Sequence, residues 1–100
     1  MQQEERGGGR ELSTHDPDNP RVNVYLEQLP LIERVIRWVT SRRGLDDVDS
    51  EDFASTVKRR LVENDYEVLA RYEGRSSLKS YLTAVVSRSY LDFEVQRRRK

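Results

Sequence analysis

The residues best suited to recognition chemistry lie in the last third of the chain. Tyr72-Glu73-Gly74-Arg75-Ser76-Ser77-Leu78 is an aromatic followed by a glycine-serine turn, and the sequence closes on Gln96-Arg97-Arg98-Arg99-Lys100. Tyr72 and Tyr81 offer ring faces on which a base can stack, an interaction worth roughly 1–3 kcal/mol per base. Gly74, Arg75, Ser76 and Ser77 offer backbone N–H groups and hydroxyls in a loop next to a helix N-terminus. Lys79, Arg88 and Arg97 to Lys100 are placed to hold phosphates, which gives affinity and register more than sequence choice. This set of groups points to nucleic acid.

The opposite charge is concentrated elsewhere. Asp46, Asp47, Asp49, Glu51 and Asp52 crowd one short stretch, and 18 acidic residues balance 18 basic ones to a formal net charge of zero. A net charge of zero argues against non-specific nucleic-acid binding, but the segregation suggests two faces of opposite sign and two different partners. The acidic stretch is not a calcium loop, since it lacks the glycine and the terminal glutamate at loop spacing. Helix capping accounts for most of these carboxylates without an ion.

Enzymatic chemistry finds little to work with. The sequence has no P-loop, no Gly-rich dinucleotide turn, no His-Glu metal motif and no nucleophile with a histidine beside it. His15, the single histidine, sits in a polar leader and reads as a solvated side chain. There are no cysteines for a disulfide or a thiolate metal site. A binding protein that is not an enzyme is expected, with no cofactor and no metal.

Three helices are needed to position these groups. Residues 1 to 21 read as a disordered leader, with three successive glycines and the turn-forming run His15-Asp16-Pro17-Asp18-Asn19-Pro20. A helical domain is expected over residues 22 to 100. A short segment to Leu29 precedes a helix with Pro30 in its first turn, apolar at Leu31, Ile32, Val35, Ile36 and Val39 and stopped by Gly44. Trp38 reads as an anchor for the core, with a partner surface as the alternative.

The second helix is expected to be capped by Asp49, with Glu51 and Asp52 in its first turn and Phe53, Val57 and Leu61 as its buried stripe. Asn64-Asp65 breaks that run, and a short helical turn follows from Tyr66 to Tyr72. The third helix is capped by Ser76 or Ser77 and buries Leu78, Leu82, Val85 and Ser89, with Tyr81, Val86 and Phe93 beside them. No strand pattern competes, so the fold class is all-α, a small bundle of three main helices. Charged residues (36%) outnumber hydrophobic ones (35%), so the core is thin. No apolar run reaches the ~18 residues that a membrane span needs and no signal-peptide core is present, so a cytoplasmic protein is expected.

Three segments in order carry a family resemblance: Asp49-Ser50-Glu51-Asp52-Phe53, then Tyr72-x-Gly74-Arg75-Ser76-Ser77-Leu78-x-x-Tyr81-Leu82, then Leu91-Asp92 followed by Arg97-Arg98-Arg99. Residues 26 to 100 resemble the region 2 domain of bacterial RNA polymerase sigma factors, closest to the extracytoplasmic-function group. The resemblance implies that the helix opening at Asp49, Glu51 and Asp52 docks on the coiled coil of the largest subunit of core RNA polymerase. Thr56, Arg59 and Arg60 are further polar contacts on that helix. Family members often carry Gln-Glu or Gln-Asp where this chain has Ser55-Thr56, and an aromatic or aliphatic residue where it has Lys58.

The resemblance also implies that Tyr72, Gly74, Arg75, Ser76, Ser77, Lys79, Tyr81, Arg88, Arg97, Arg98 and Arg99 engage promoter DNA, the single-stranded minus-ten region, and so a nucleoid-associated location. An anti-sigma protein or a separate region 4 chain is a further partner that the family implies. Sigma factors carry region 4 after a linker, and a sequence ending at Lys100 is expected to be a fragment or a truncated reading frame. Two other readings stand beside this one. A co-sigma or regulator-binding module would keep the fold without reading promoter DNA. A general basic nucleic-acid binder would show sequence-indifferent, steeply salt-dependent binding without polymerase.

Overall fold

The computed structural model describes residues 18–98, and all its regular structure is helical. Helix α1 spans Pro20–Arg43, α2 spans Asp47–Ala70 and α3 spans Leu78–Arg98. These helices form the small all-α bundle read from the periodicity. Among the described residues no helix is long and apolar enough to cross a membrane, and no cluster of acidic or histidine side chains is placed to hold a metal ion.

Helix α1 begins two residues before the expected boundary. Asn19 is its N-cap, accepting a hydrogen bond from the Arg21 N–H at 2.9 Å, and Pro20 occupies the first turn, where its missing N–H costs nothing. The helix then runs unbroken through Pro30, so the expected short segment and its successor are one element. Pro30 removes the donor for the Leu26 carbonyl. Both side chains are exposed, and water on that side can serve the orphaned oxygen.

Gly44 ends α1 as expected. At φ +67° it has the left-handed conformation that only glycine adopts cheaply, and the Gly44 and Leu45 N–H groups close on Ser41 and Thr40. Leu45 is consumed by this motif, so the first residue free to cap the next helix is Asp46. Its carboxylate accepts from the Asp49 N–H at 2.8 Å, and Asp46, rather than Asp49, is the N-cap of α2. Asp47 and Asp49 then lie in the first turn, where the helix dipole favours negative charge.

The break at Asn64-Asp65 is a left-handed turn. Glu63 is extended, and Asn64, Asp65 and Tyr66 follow with φ of 53°, 58° and 61°. Asn and Asp tolerate this region, whereas a bulky tyrosine there needs compensation. Tyr66 is buried against Tyr25, ring centroids 5.5 Å apart. The start of α1 clamps the same turn: the Arg21 guanidinium donates to the Asp65 carbonyl at 2.9 Å, and the Asn19 amide to the Asp65 carboxylate at 2.7 Å. The chain kinks here and re-enters a short helical stretch to Ala70.

The core lies where the three helices meet. Ile32, Val35, Ile36 and Val39 of α1 close on Phe53, Val57 and Leu61 of α2 and on Leu82, Val86 and Tyr90 of α3. Phe53 meets the rings of Tyr90 and Phe93 edge-on at 5.7 and 5.3 Å, the favoured aromatic geometry. The α3 stripe is Leu82, Val86, Ser89 and Tyr90, with Leu78, Tyr81, Val85 and Phe93 only half-buried. Trp38 departs from expectation. It lies off the apolar stripe of α1, on the flank it shares with Arg34 and Arg42, and is 52% exposed.

Candidate functional site

The loop between α2 and α3 is built by its tyrosines. Tyr72 and Tyr81 pack with centroids 5.2 Å apart at a tilt of 46°. The Tyr72 hydroxyl donates to the Ser76 carbonyl, which folds the loop over itself. The Tyr81 hydroxyl donates to the Val68 carbonyl at 2.6 Å, tying α3 to the end of α2. Gly74 sits at φ +78° with open space around it, so its requirement is torsional rather than steric. Of the two serines, Ser77 caps α3, accepting from the Ser80 N–H at 3.1 Å. Both tyrosine rings are half-exposed, and Arg75, Ser76 and Ser77 face solvent.

The described cations expected to hold phosphates lie in four places. Arg75 is beside the turn, 88% exposed and 3.1 Å from the Glu73 carboxylate. Lys79, one turn on, faces α1 and shares a groove with Arg34, Val35, Trp38 and Thr83. Arg88 lines a recess of about 370 Å³ whose floor is Val68, Tyr81, Ala84 and Val85 and whose rim adds Arg60 and Arg71. Arg71, which sequence reasoning passed over, is held by Glu67 at 2.7 Å, whereas Arg88 has no carboxylate partner among the described residues. Arg97 is farther off: at 1.5 Å rise per residue it lies about 24 Å along α3 from Tyr81. Arg98 is exposed on the last turn, and Arg99 lies outside the described residues, as do Lys100 and His15.

The acidic set divides as well. Asp49, Asp52, Thr56, Arg59 and Arg60 line a groove of about 740 Å³ between α2 and α3, together with Asp92, Gln96 and Arg97. Glu51 opens instead onto the α1–α2 groove, beside Glu33, Arg37 and Lys58. In the α2–α3 groove the two charge clusters of the sequence meet. Arg97 pairs with Asp49 at 3.2 Å, and Arg60 pairs with Asp92 at 3.0 Å and reaches the Ser89 hydroxyl at 3.3 Å. Opposite charges that the sequence separates by almost fifty positions therefore share one groove and do not form two unrelated faces.

Protonation follows these contacts. The Tyr90 hydroxyl donates to Glu94, which raises the phenol above its ordinary range, with burial adding to the effect. The same bond holds Glu94 below the usual carboxylate range. Glu33 is held low by the hydrogen bond and charge of Lys58, 2.9 Å away, with Arg37 contributing. Burial raises Tyr25 and Tyr66. None of these groups forms a nucleophile–base pair; the shifts belong to contacts between and along helices.

A second aromatic–cationic cluster surrounds Trp38. The Arg42 guanidinium lies 5.0 Å over the indole, and Arg34 and Lys79 line the same groove or its edge. The signal in the sequence is the spacing Arg34, Trp38, Arg42, four residues apart and out of phase with the buried stripe. No protein-family model, curated protein or solved structure matches the chain.

Proposed function

We propose that the chain is a sigma-like transcription initiation module, which binds core RNA polymerase through α2 and captures bases of the melted minus-ten non-template strand at the Gly74 loop. It performs no covalent chemistry. Selective capture of single-stranded bases shifts the promoter equilibrium towards the open state. The observation that carries the reading is the loop itself. Two half-exposed tyrosines and an exposed glycine-serine turn lie at the start of α3, and Tyr81 shares the adjoining recess with Arg88, which has no carboxylate partner among the described residues. An extruded base needs such a stacking face with polar groups beside it.

Mixing the protein with core polymerase and a fluorescent minus-ten oligonucleotide at low salt tests this directly. A ternary complex is expected, and the absence of any polymerase complex would overturn the reading.

One observation favours a second reading, an interaction module that binds polymerase or a regulator without reading promoter DNA. Arg75 and Arg97, two of the cations expected on promoter DNA, are each already paired with a carboxylate. Polymerase binding that survives replacement of Arg75, Lys79 and Arg88 by alanine, with no gain in complex from the oligonucleotide, would select it.

A further inference from the structure

The exposed indole of Trp38 is unusual in a chain with so little apolar surface to spare. It lines a groove between α1 and α3 of about 270 Å³, which is below the usual size of a drug-like pocket and suited to one planar heterocycle. The groove walls are Arg34, Val35, Lys79 and Thr83, and Arg42 lies over the ring. No carboxylate lines it, and Arg34, Arg42 and Lys79 form no ion pair among the described residues. Glu33, the acid nearest in sequence to Arg34, is turned to Lys58 on the other side of α1. A chain with zero net charge thus has one aromatic surface in a locally positive field.

We propose that this groove is a binding site for single-stranded nucleic acid, in which one base stacks on Trp38 and the adjoining phosphates are held by Arg34, Arg42 and Lys79. An acidic peptide would satisfy the cations and leave the indole unused, whereas a nucleotide unit uses both. Arg34 and Arg42 are eight residues apart, about 12 Å along the helix, so they serve more than one phosphate. That spacing selects a strand over a mononucleotide. Binding at this groove requires no polymerase and does not depend on the Gly74 loop capturing a base.

Trp38 is the only tryptophan in the sequence, so its fluorescence reports on the site alone. The full chain is titrated at low salt with a short oligothymidylate, with thymidine monophosphate and with poly-glutamate as separate arms. The oligonucleotide is expected to quench Trp38 with a log–log salt slope of about −0.7 per phosphate held. Arg34→Ala and Lys79→Ala each make that slope shallower by about 0.7. Trp38→Ala, followed by anisotropy of a labelled strand, weakens binding about five-fold or more, while Trp38→Phe retains most of it.

Circular dichroism confirms that these variants of exposed residues are folded. Oligonucleotide binding without quenching, or undiminished in Trp38→Ala, overturns the proposal, as does equal quenching by the mononucleotide or by poly-glutamate. A protein that binds oligothymidylate in this way and ignores polymerase would leave this site standing and remove the initiation reading. Polymerase binding without quenching would do the reverse.

Discussion

Glu33 shows how single side chains hold this small bundle. Its carboxylate joins α1 to Lys58 of α2 at 2.9 Å, and that hydrogen bond, with the lysine's charge, keeps its pKa below the usual carboxylate value. The unfolded chain therefore binds this proton more tightly than the folded one. The contribution of Glu33 is fully present above the unfolded carboxylate pKa and is lost as pH falls through the depressed folded value. Glu94, held low by the Tyr90 hydroxyl, acts in the same direction. Glu33→Gln should be less stable than the parent near neutral pH, and the two should converge in acid. Urea denaturation across the carboxylate range measures this, and a difference that persists in acid would show that the ion pair is not its source. Both side chains are exposed enough for salt to shrink the gap as well.

Elements here are joined by hydroxyls as well as by the apolar core. The Tyr81 hydroxyl closes on the Val68 carbonyl at 2.6 Å, bridging the end of α2 and the first turns of α3 across the Gly74 loop. Tyr81→Phe removes that bond and keeps the ring. It should cost about 0.5–1.5 kcal/mol in stability and leave affinity for a minus-ten strand nearly unchanged. Tyr81→Leu keeps much of the packing but loses the ring, and should weaken strand binding about five-fold or more. If both variants bind alike, Tyr81 only fastens the bundle.

The helices themselves were largely legible in the sequence, because Phe53, Val57 and Leu61 recur at a spacing that only a helix buries on one side. Gly44 was legible for a torsional reason. Asp46 was not, because the cap is decided by how many residues the preceding motif at Gly44 consumes. Pro30 misled for a related reason: its cost depends on whether water reaches the carbonyl one turn back. Trp38 reads as core by type, because large aromatics are usually buried, while its phase on α1 places it beside Arg34 and Arg42.

At the scale of the whole molecule, the pairing of Asp49 with Arg97 links the surface proposed for polymerase to the one proposed for DNA. No sequence pattern reveals it, since the two residues lie on different helices, 48 positions apart, and meet only once α3 packs against α2. A cation in an ion pair is less available to a phosphate, and the reverse holds for the carboxylate. By linkage, whatever takes Asp49 away from Arg97 must favour a strand that uses Arg97, and by the same factor in both directions. The pair is partly exposed, so the coupling is worth about 1 kcal/mol at most, or about five-fold.

Asp49→Asn imitates the release without polymerase. The variant should bind a minus-ten strand up to about five-fold more tightly at low salt, with a log–log salt slope steeper by about 0.7, one phosphate contact. Arg97→Ala should remove that gain, and the double variant should bind like Arg97→Ala alone. Anisotropy titrations at several salt concentrations measure all four proteins. A strand affinity indifferent to Asp49→Asn would make the pair a fastening between α2 and α3 and confine the strand to the Gly74 end of the helix.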